Sequence, residues 1–462
     1  MRNIVLLNAL LILALLSCNT QKNKEKEEAK SVKTENIFIG SKTYKSIKCR
    51  KDSTQKYTAY FPENYSQTSK LPVIVVFDAH ARTKLVVEKF KEAADKFTYL
   101  IIASENVKNG LKTVDYSINT LFDDIFSKFK IDRKRVYTAG FSGGARIANS
   151  VAIYKGGISG VISCSGGLPQ KGVKIKNKFD FVGIVGLNDF NYQEMKALNK
   201  AFDNENFNNK FISFNGTHDW PDSKVISEAV EYLEIIAIKR KIVPTNDNLV
   251  RSYTYKNAEI INDFIINGED YKAYLLYKSF LQSLKGLYDI SDYEKSYQVL
   301  LNSPKIKSGI ELDKQISEKE TLKQHFFIDL FKQSNFPDLK KEISILQGKT
   351  KNNTESHLEN RLLNYTEMLC YIFTENLFKT SDFKNFNQLI ETYELINSKN
   401  ADKEYFKAAK YAIDGNEQEA LKSLNKAVDF GFFDKEKLLN SVYFNNFKNT
   451  DEFLDVLTRI EK

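Results

Sequence analysis

One serine stands between glycines in RVYTAGFSGGARIANSVA (135–152), where residues rich in β-formers run into Gly-Phe-Ser-Gly-Gly and a helix-like segment follows at once. A residue at so sharp a strand-to-helix turn is crowded by the side chains before and after it. Gly140 and Gly144, two positions to either side of Ser142, relieve that crowding and present the hydroxyl. The helix start beyond them aims backbone N–H groups and positive partial charge at any anion forming there. A serine hydroxyl at neutral pH is a poor nucleophile and needs a base, and the base needs an acid to set its tautomer. KFISFNGTHDWP places His218 just past a predicted strand, and FVGIVGLNDFN places Asp189 just past another. Asp219 adjoins the histidine in the chain and cannot easily reach its far ring nitrogen, and Asp180 falls at a strand start, the wrong end of the sheet. The competing readings are a glycine-rich turn with a structural serine, a surface histidine and a loop-capping aspartate.

The elements that must position these residues alternate. KYTAYFP (56–62), LPVIVVFDA (71–79), FTYLIIASE (97–105), RVYTAGF (135–141), GVISCSG (160–166), FDFVGIVG (179–186) and KFISFNG (210–216) read as strands. Continuous apolar runs such as VIVVF mark strands buried on both faces, as in a parallel sheet between helices. Residues 84–96, 114–129, 144–154, 192–202 and 223–241 read as the helices between them, which predicts an open α/β sheet with right-handed crossovers. In such sheets function collects beyond the C-terminal strand ends, where Ser142, Asp189 and His218 all fall.

In this context Gly-x-Ser-x-Gly is similar to the nucleophile elbow of the α/β-hydrolases. The order serine, acid after a later strand, histidine after the last strand is also that family's order. NGTHDWP resembles the GGHxW histidine loops of bacterial esterase-like members. The stretch 38–243 thus resembles compact esterase-like or prolyl-oligopeptidase-like α/β-hydrolases. The resemblance implies an eight-stranded, mostly parallel sheet and a covalent acyl-enzyme route with Ser142 as nucleophile, His218 as base and Asp189 as orienting acid. It implies no metal or organic cofactor. It also calls for two oxyanion donors: the backbone N–H of Gly143 and one from the loop after PVIVVF. Relatives often carry His-Gly in that loop and this chain has FDAHAR, which assigns the second donor to the His80 N–H, with Ala79 as the fallback. The His80 side chain reads equally as a substrate contact or a structural histidine, and His325 and His357 read as surface residues. Little chain separates the strands near Ser165 and Phe179, where relatives insert a lid; an open cleft follows rather than an interfacial lipase.

The N-terminus reads differently. MRNIVLLNALLILALLSC pairs a basic start with an apolar run too short to span a bilayer, and LLSC resembles the bacterial lipobox, in which the cysteine, here Cys18, is lipidated. Residues 1–17 form a predicted lipoprotein signal and 18–37, nearly all Lys, Glu and small polar residues, a flexible tether whose Gln-Lys and acidic run resembles surface-export signals of Bacteroidetes lipoproteins. The remaining cysteines, Cys49, Cys164 and Cys370, are widely spaced and odd in number, so neither a disulfide framework nor a CxxC metal pair is predicted. With only four histidines a multi-ligand zinc site has poor support. The net charge of +9 comes from lysines interleaved with glutamates, a solvated surface rather than a nucleic-acid patch.

Beyond KRKIVPTNDN (239–248) helical patterning takes over, and 244–462 is predicted to be all-α. Ala408, Ala409 and Ala412, then Ala420, Leu421, Leu424 and Ala427, recur at helix-packing intervals around an Asp-Gly-Asn turn. Residues 404–457 resemble a tetratricopeptide (TPR) helix pair, and a plain helical bundle is the alternative. The expected protein is a lipid-anchored envelope serine hydrolase acting on an ester- or amide-bearing substrate, carboxylic esters before peptides. Its helical domain would be free for a protein or peptide partner, and a non-catalytic TPR-type binding lipoprotein is the rival from another class.

Overall fold

The apolar runs fold as buried parallel strands. In the computed structural model, which describes residues 38–170, 172–352 and 356–460, β3 (Leu71–Asp78) and β7 (Asp180–Gly186) are buried along their whole length. The signal segment, Cys18 and the tether lie outside the described residues. The elements below all belong to the unit formed by residues 40–462. β3 and β7 join β1 (Lys42–Lys48), β2 (Lys56–Phe61), β4 (Leu100–Ser104), β5 (Ile131–Phe141), β6 (Gly160–Cys164) and β8 (Asn209–Phe214) in one eight-stranded sheet. Its order is β1-β2-β4-β3-β5-β6-β7-β8. β2 runs antiparallel to both neighbours, and β3 to β8 are parallel. β1 was not among the predicted strands. Its KTYKSIK sequence is lysine-rich and mostly exposed, and it bulges at Ser46, which has φ of 51°. Such charged, bulged strands suit a sheet edge.

α1 (Thr83–Phe97), α2 (Val114–Lys128), α3 (Gly143–Ser150), α4 (Tyr192–Asn204) and α5 (Ser223–Lys239) follow β3, β4, β5, β7 and β8 in turn. A π-helical turn, Val151–Lys155, extends α3. α3 packs on β3, β5 and β6, α4 on β7 and β8, and α1 and α5 pack on each other. Phe90, Trp220, Val230 and Ile236 share one apolar core with Ile74 and Val76 of β3, and that core continues without a break into Tyr253, Ala273 and Phe280 of the helices beyond residue 243.

Those helices are α6 (Asp247–Ile266), α7 (Asp270–Leu284), α8 (Ser291–Leu301), α9 (Pro304–Lys332), α10 (Phe336–Asn352), α11 (His357–Thr380), α12 (Phe386–Ile396), α13 (Ala401–Ile413), α14 (Glu417–Asp429), α15 (Lys435–Asn440) and α16 (Asp451–Ile460). α13 and α14 form the pair read around Asp-Gly-Asn. Gly415 turns the chain at φ +77°, Asn416 caps the Glu419 N–H, and buried Ala408, Ala409, Ala420, Leu424 and Ala427 let the two helices approach closely.

Candidate active site

The turn at Ser142 works because nothing but hydrogen fits beside it. β5 ends at Phe141, Ser142 takes φ 54° and ψ −118°, and α3 begins at Gly143. A Cβ on Gly144 would stand 2.1 Å from the Phe77 carbonyl oxygen. The Ser142 N–H donates to the Cys164 carbonyl at 2.9 Å, and its own carbonyl accepts from Ala145 and Arg146. Positive φ costs a non-glycine residue about 1–3 kcal/mol and persists only where surrounding structure enforces it. Here strands β3, β5 and β6 all converge on the turn.

Three residues far apart in the chain meet above it. Ser142 Oγ lies 2.9 Å from His218 Nε2, and His218 Nδ1 lies 3.0 Å from both oxygens of Asp189. That arrangement sets the tautomer: Nδ1–H donates to Asp189, and Nε2 is left to accept the serine proton. The ring is held by stacking on Phe190 at 4.3 Å and by Phe141 at 4.8 Å. Asp189 is fully buried and also accepts from the Asn191 N–H at 2.8 Å. Its loop is tied to the histidine loop by Leu187 N–H to the Phe214 carbonyl and Asn188 N–H to the Gly216 carbonyl. Asp180, by contrast, sits at the far end of β7, held by Asn208 and Arg240.

The oxyanion side corrects one expectation. The His80 N–H donates to Asp78 Oδ1 at 2.9 Å and so is turned toward that carboxylate. The Ala79 N–H, the fallback donor, is not taken up by the Asp78 carboxylate, which accepts from His80 and Arg82. The reason His80 is lost as a donor is Asp78 itself. It accepts from the Arg82 N–H and guanidinium and from Trp220 Nε1, so it ties the oxyanion loop to the histidine loop. Burial by itself would raise its pKa, but these donors, Arg82 first, leave the carboxyl below its ordinary value. Ionised Asp78 therefore stabilises the fold fully above its unfolded pKa near ~4, and that contribution fades as pH falls through the lower folded value. Asp78→Asn is expected to cost about 2–3 kcal/mol at neutral pH. Its melting temperature should converge on that of the unsubstituted protein in acid, which thermal unfolding against pH will measure; parallel curves down to strong acid would contradict this.

Asn109 carries no motif signal and was not singled out. Its N–H donates to the Ala79 carbonyl at 2.9 Å, and a Cβ placed on Gly143 would stand 1.9 Å from its Oδ1. The amide therefore rests against the Gly143 backbone, at the mouth of the site. His357 is a second correction. It is half-buried rather than on the surface, with Nδ1 2.8 Å from Asn188 Oδ1 beside the acid; His325 is exposed. The Phe433 ring of the helical region packs edge-on to His80 at 5.2 Å and under the Arg82 guanidinium. Among the described residues no three His, Cys, Asp or Glu side chains group as a metal-binding set.

Sheet order and the strand–Ser142–helix turn together define an α/β-hydrolase fold, followed by an all-helical region. Among solved structures the chain is similar to an S-formylglutathione hydrolase from Staphylococcus aureus, at 16% identity, covering 42% of this chain and 96% of that one, with a TM-score of 0.34. Similar too are Est1E from Butyrivibrio proteoclasticus (15% identity, 42% and 100% covered, TM-score 0.34) and an esterase from Pyrobaculum calidifontis (12%, 48% and 93%, TM-score 0.36). No protein-family model and no curated protein matches the chain.

Proposed function

We propose that this protein is a serine hydrolase that cleaves carboxylic esters through an acyl-enzyme. One observation carries the reading: Ser142 Oγ at 2.9 Å from the ring nitrogen whose opposite nitrogen faces the Asp189 carboxylate. Ser142 attacks the ester carbonyl while His218 Nε2 takes its proton, and buried Asp189 stabilises the imidazolium that results. The tetrahedral oxyanion is received by the N–H groups of Gly143 and Ala79, with the Asn109 amide beside them. His218 then returns the proton to the leaving alcohol, the C–O bond breaks, and water repeats the sequence to release the acid. Among the described residues between β6 and β7 there is no helix. The helical region instead meets the site from two sides, at His80 and at Asn188, which favours a compact ester over a polypeptide laid across the sheet. Membrane attachment through lipidated Cys18 belongs to the same proposal and has its support in the sequence.

A short panel tests the reaction. Fluorophosphonate labelling followed by turnover of p-nitrophenyl acetate and butyrate against a peptide anilide should show labelling and ester turnover, with the anilide slower by at least ~100-fold. Faster anilide cleavage would make the protein a peptidase. No labelling of folded protein would leave the binding-lipoprotein reading.

A further inference from the structure

We infer that α11, although it belongs to the helical region, is a working part of the active site: its residues Arg361 and Asn364, with His357, position the catalytic acid. This rests on the triad reading above. His357, Arg361 and Asn364 follow one another at helical spacings of four and three, so they form a single stripe along α11. All three meet the two residues directly before Asp189. Arg361 Nη1 donates to the Leu187 carbonyl at 3.0 Å, Asn364 Nδ2 donates to the Asn188 carbonyl at 2.8 Å, and His357 Nδ1 lies 2.8 Å from Asn188 Oδ1. The opposite edge of the same loop is bound to the histidine loop through the Leu187 and Asn188 N–H groups. The acid loop is therefore stapled on both edges. One staple comes from the hydrolase sheet and the other from α11.

Arg361 is itself rigidly held. It is buried and grips Glu320 of α9, itself fully buried, through Nε at 2.9 and 3.0 Å and Nη2 at 2.7 Å, and its guanidinium lies over the Tyr192 ring at 4.7 Å. Gln193 Nε2, from α4, donates to the same Glu320 carboxylate at 2.9 Å. A buried ion pair of this kind is poor evidence for stability, because desolvation of both charges offsets their attraction. It does supply a fixed guanidinium whose remaining N–H bonds can hold a backbone carbonyl in one place. Placement is what Asp189 requires. A shift of about 1 Å in a catalytic group costs roughly 100-fold in rate.

The test uses the full chain and measures the fluorophosphonate labelling rate and the pH profile of kcat/KM for p-nitrophenyl acetate. Asn364→Ala removes one donor to the acid loop without stranding a buried charge. It is expected to slow labelling about tenfold, with KM little changed. If Asp189 has drifted from His218, the imidazolium formed in proton transfer loses its partner, and the acid limb of the profile changes. A role confined to stability would not move that limb. Arg361→Lys keeps a cation beside Glu320 but loses the fork, and should fall at least as far as Asn364→Ala. If Arg361→Lys fails to fold, Asn364→Ala alone decides. Folded variants that label at the unsubstituted rate with an unmoved acid limb would overturn the inference while leaving the hydrolase reading intact. Failure of the unsubstituted chain to label would overturn both.

Discussion

Ser142→Ala is expected to abolish fluorophosphonate labelling and to lower kcat for p-nitrophenyl acetate by roughly 10⁴- to 10⁶-fold, with the fold intact. The reasoning is geometric. The hydroxyl is the one atom at the elbow that can form the acyl bond, and His218 Nε2 lies 2.9 Å from it. The substitution removes that atom and leaves the backbone untouched, since alanine keeps the same Cβ at φ 54°. His218→Ala should fall by a similar factor and not additively with it, because the two act on one proton transfer. Intact-mass detection of the phosphonylated chain and steady-state rates measure both effects. Residual labelling of Ser142→Ala at the unsubstituted rate would place the nucleophile elsewhere and end the proposal.

Gly140→Ala should break the fold rather than the chemistry. An added Cβ would lie 2.3 Å from both the carbonyl carbon and oxygen of Gly144 and 2.6 Å from the Ala145 nitrogen. All three are backbone atoms of the first turn of α3, so no side chain can swing aside. The helix would have to lift off β5, carrying Ser142 with it. The expected loss is about 4 kcal/mol or more, enough to prevent a domain of ordinary stability from accumulating as folded protein. Gly348, within α10, is the contrast: nothing lies within 4 Å of its would-be Cβ. Gly348→Ala should be neutral or stabilising by up to about 1 kcal/mol, since alanine is the better helix former. Urea unfolding of both variants provides the comparison. An unchanged midpoint for Gly140→Ala would contradict the close approach at the elbow.

How much was legible follows from where each signal resides. β3 and β7 announce themselves because strands buried on both faces must be apolar throughout. β1 does not, because an edge strand is stabilised by pairing with β2 while its side chains face water, and KTYKSIK reads as surface. At the site, Ser142, Asp189 and His218 could be named because each sits one short step beyond a recognisable strand, and parallel strands bring such steps to one rim. The reading of the His80 N–H as the second oxyanion donor failed because it depends on a side-chain choice: Asp78 captures that N–H, and no local pattern announces the capture. Asn109 was invisible for a related reason, being an exposed loop residue whose backbone happens to bond Ala79.

By itself the sequence determined the parallel strands of the sheet, the turn at Ser142, the placing of Asp189 and His218 beyond later strands, and the helix pair around Gly415. Each of these is written in local periodicity or in residues a few positions apart. Only the tertiary structure decided that the core runs on past residue 243, that Phe433 reaches His80, and that His357, Arg361 and Asn364 hold the loop before Asp189. The last two sets of contacts join residues more than a hundred positions apart. Their partners are an imidazole ring, two backbone carbonyls and a side-chain amide, groups whose availability depends on how whole helices dock and leaves no trace in the spacing of side chains along the chain.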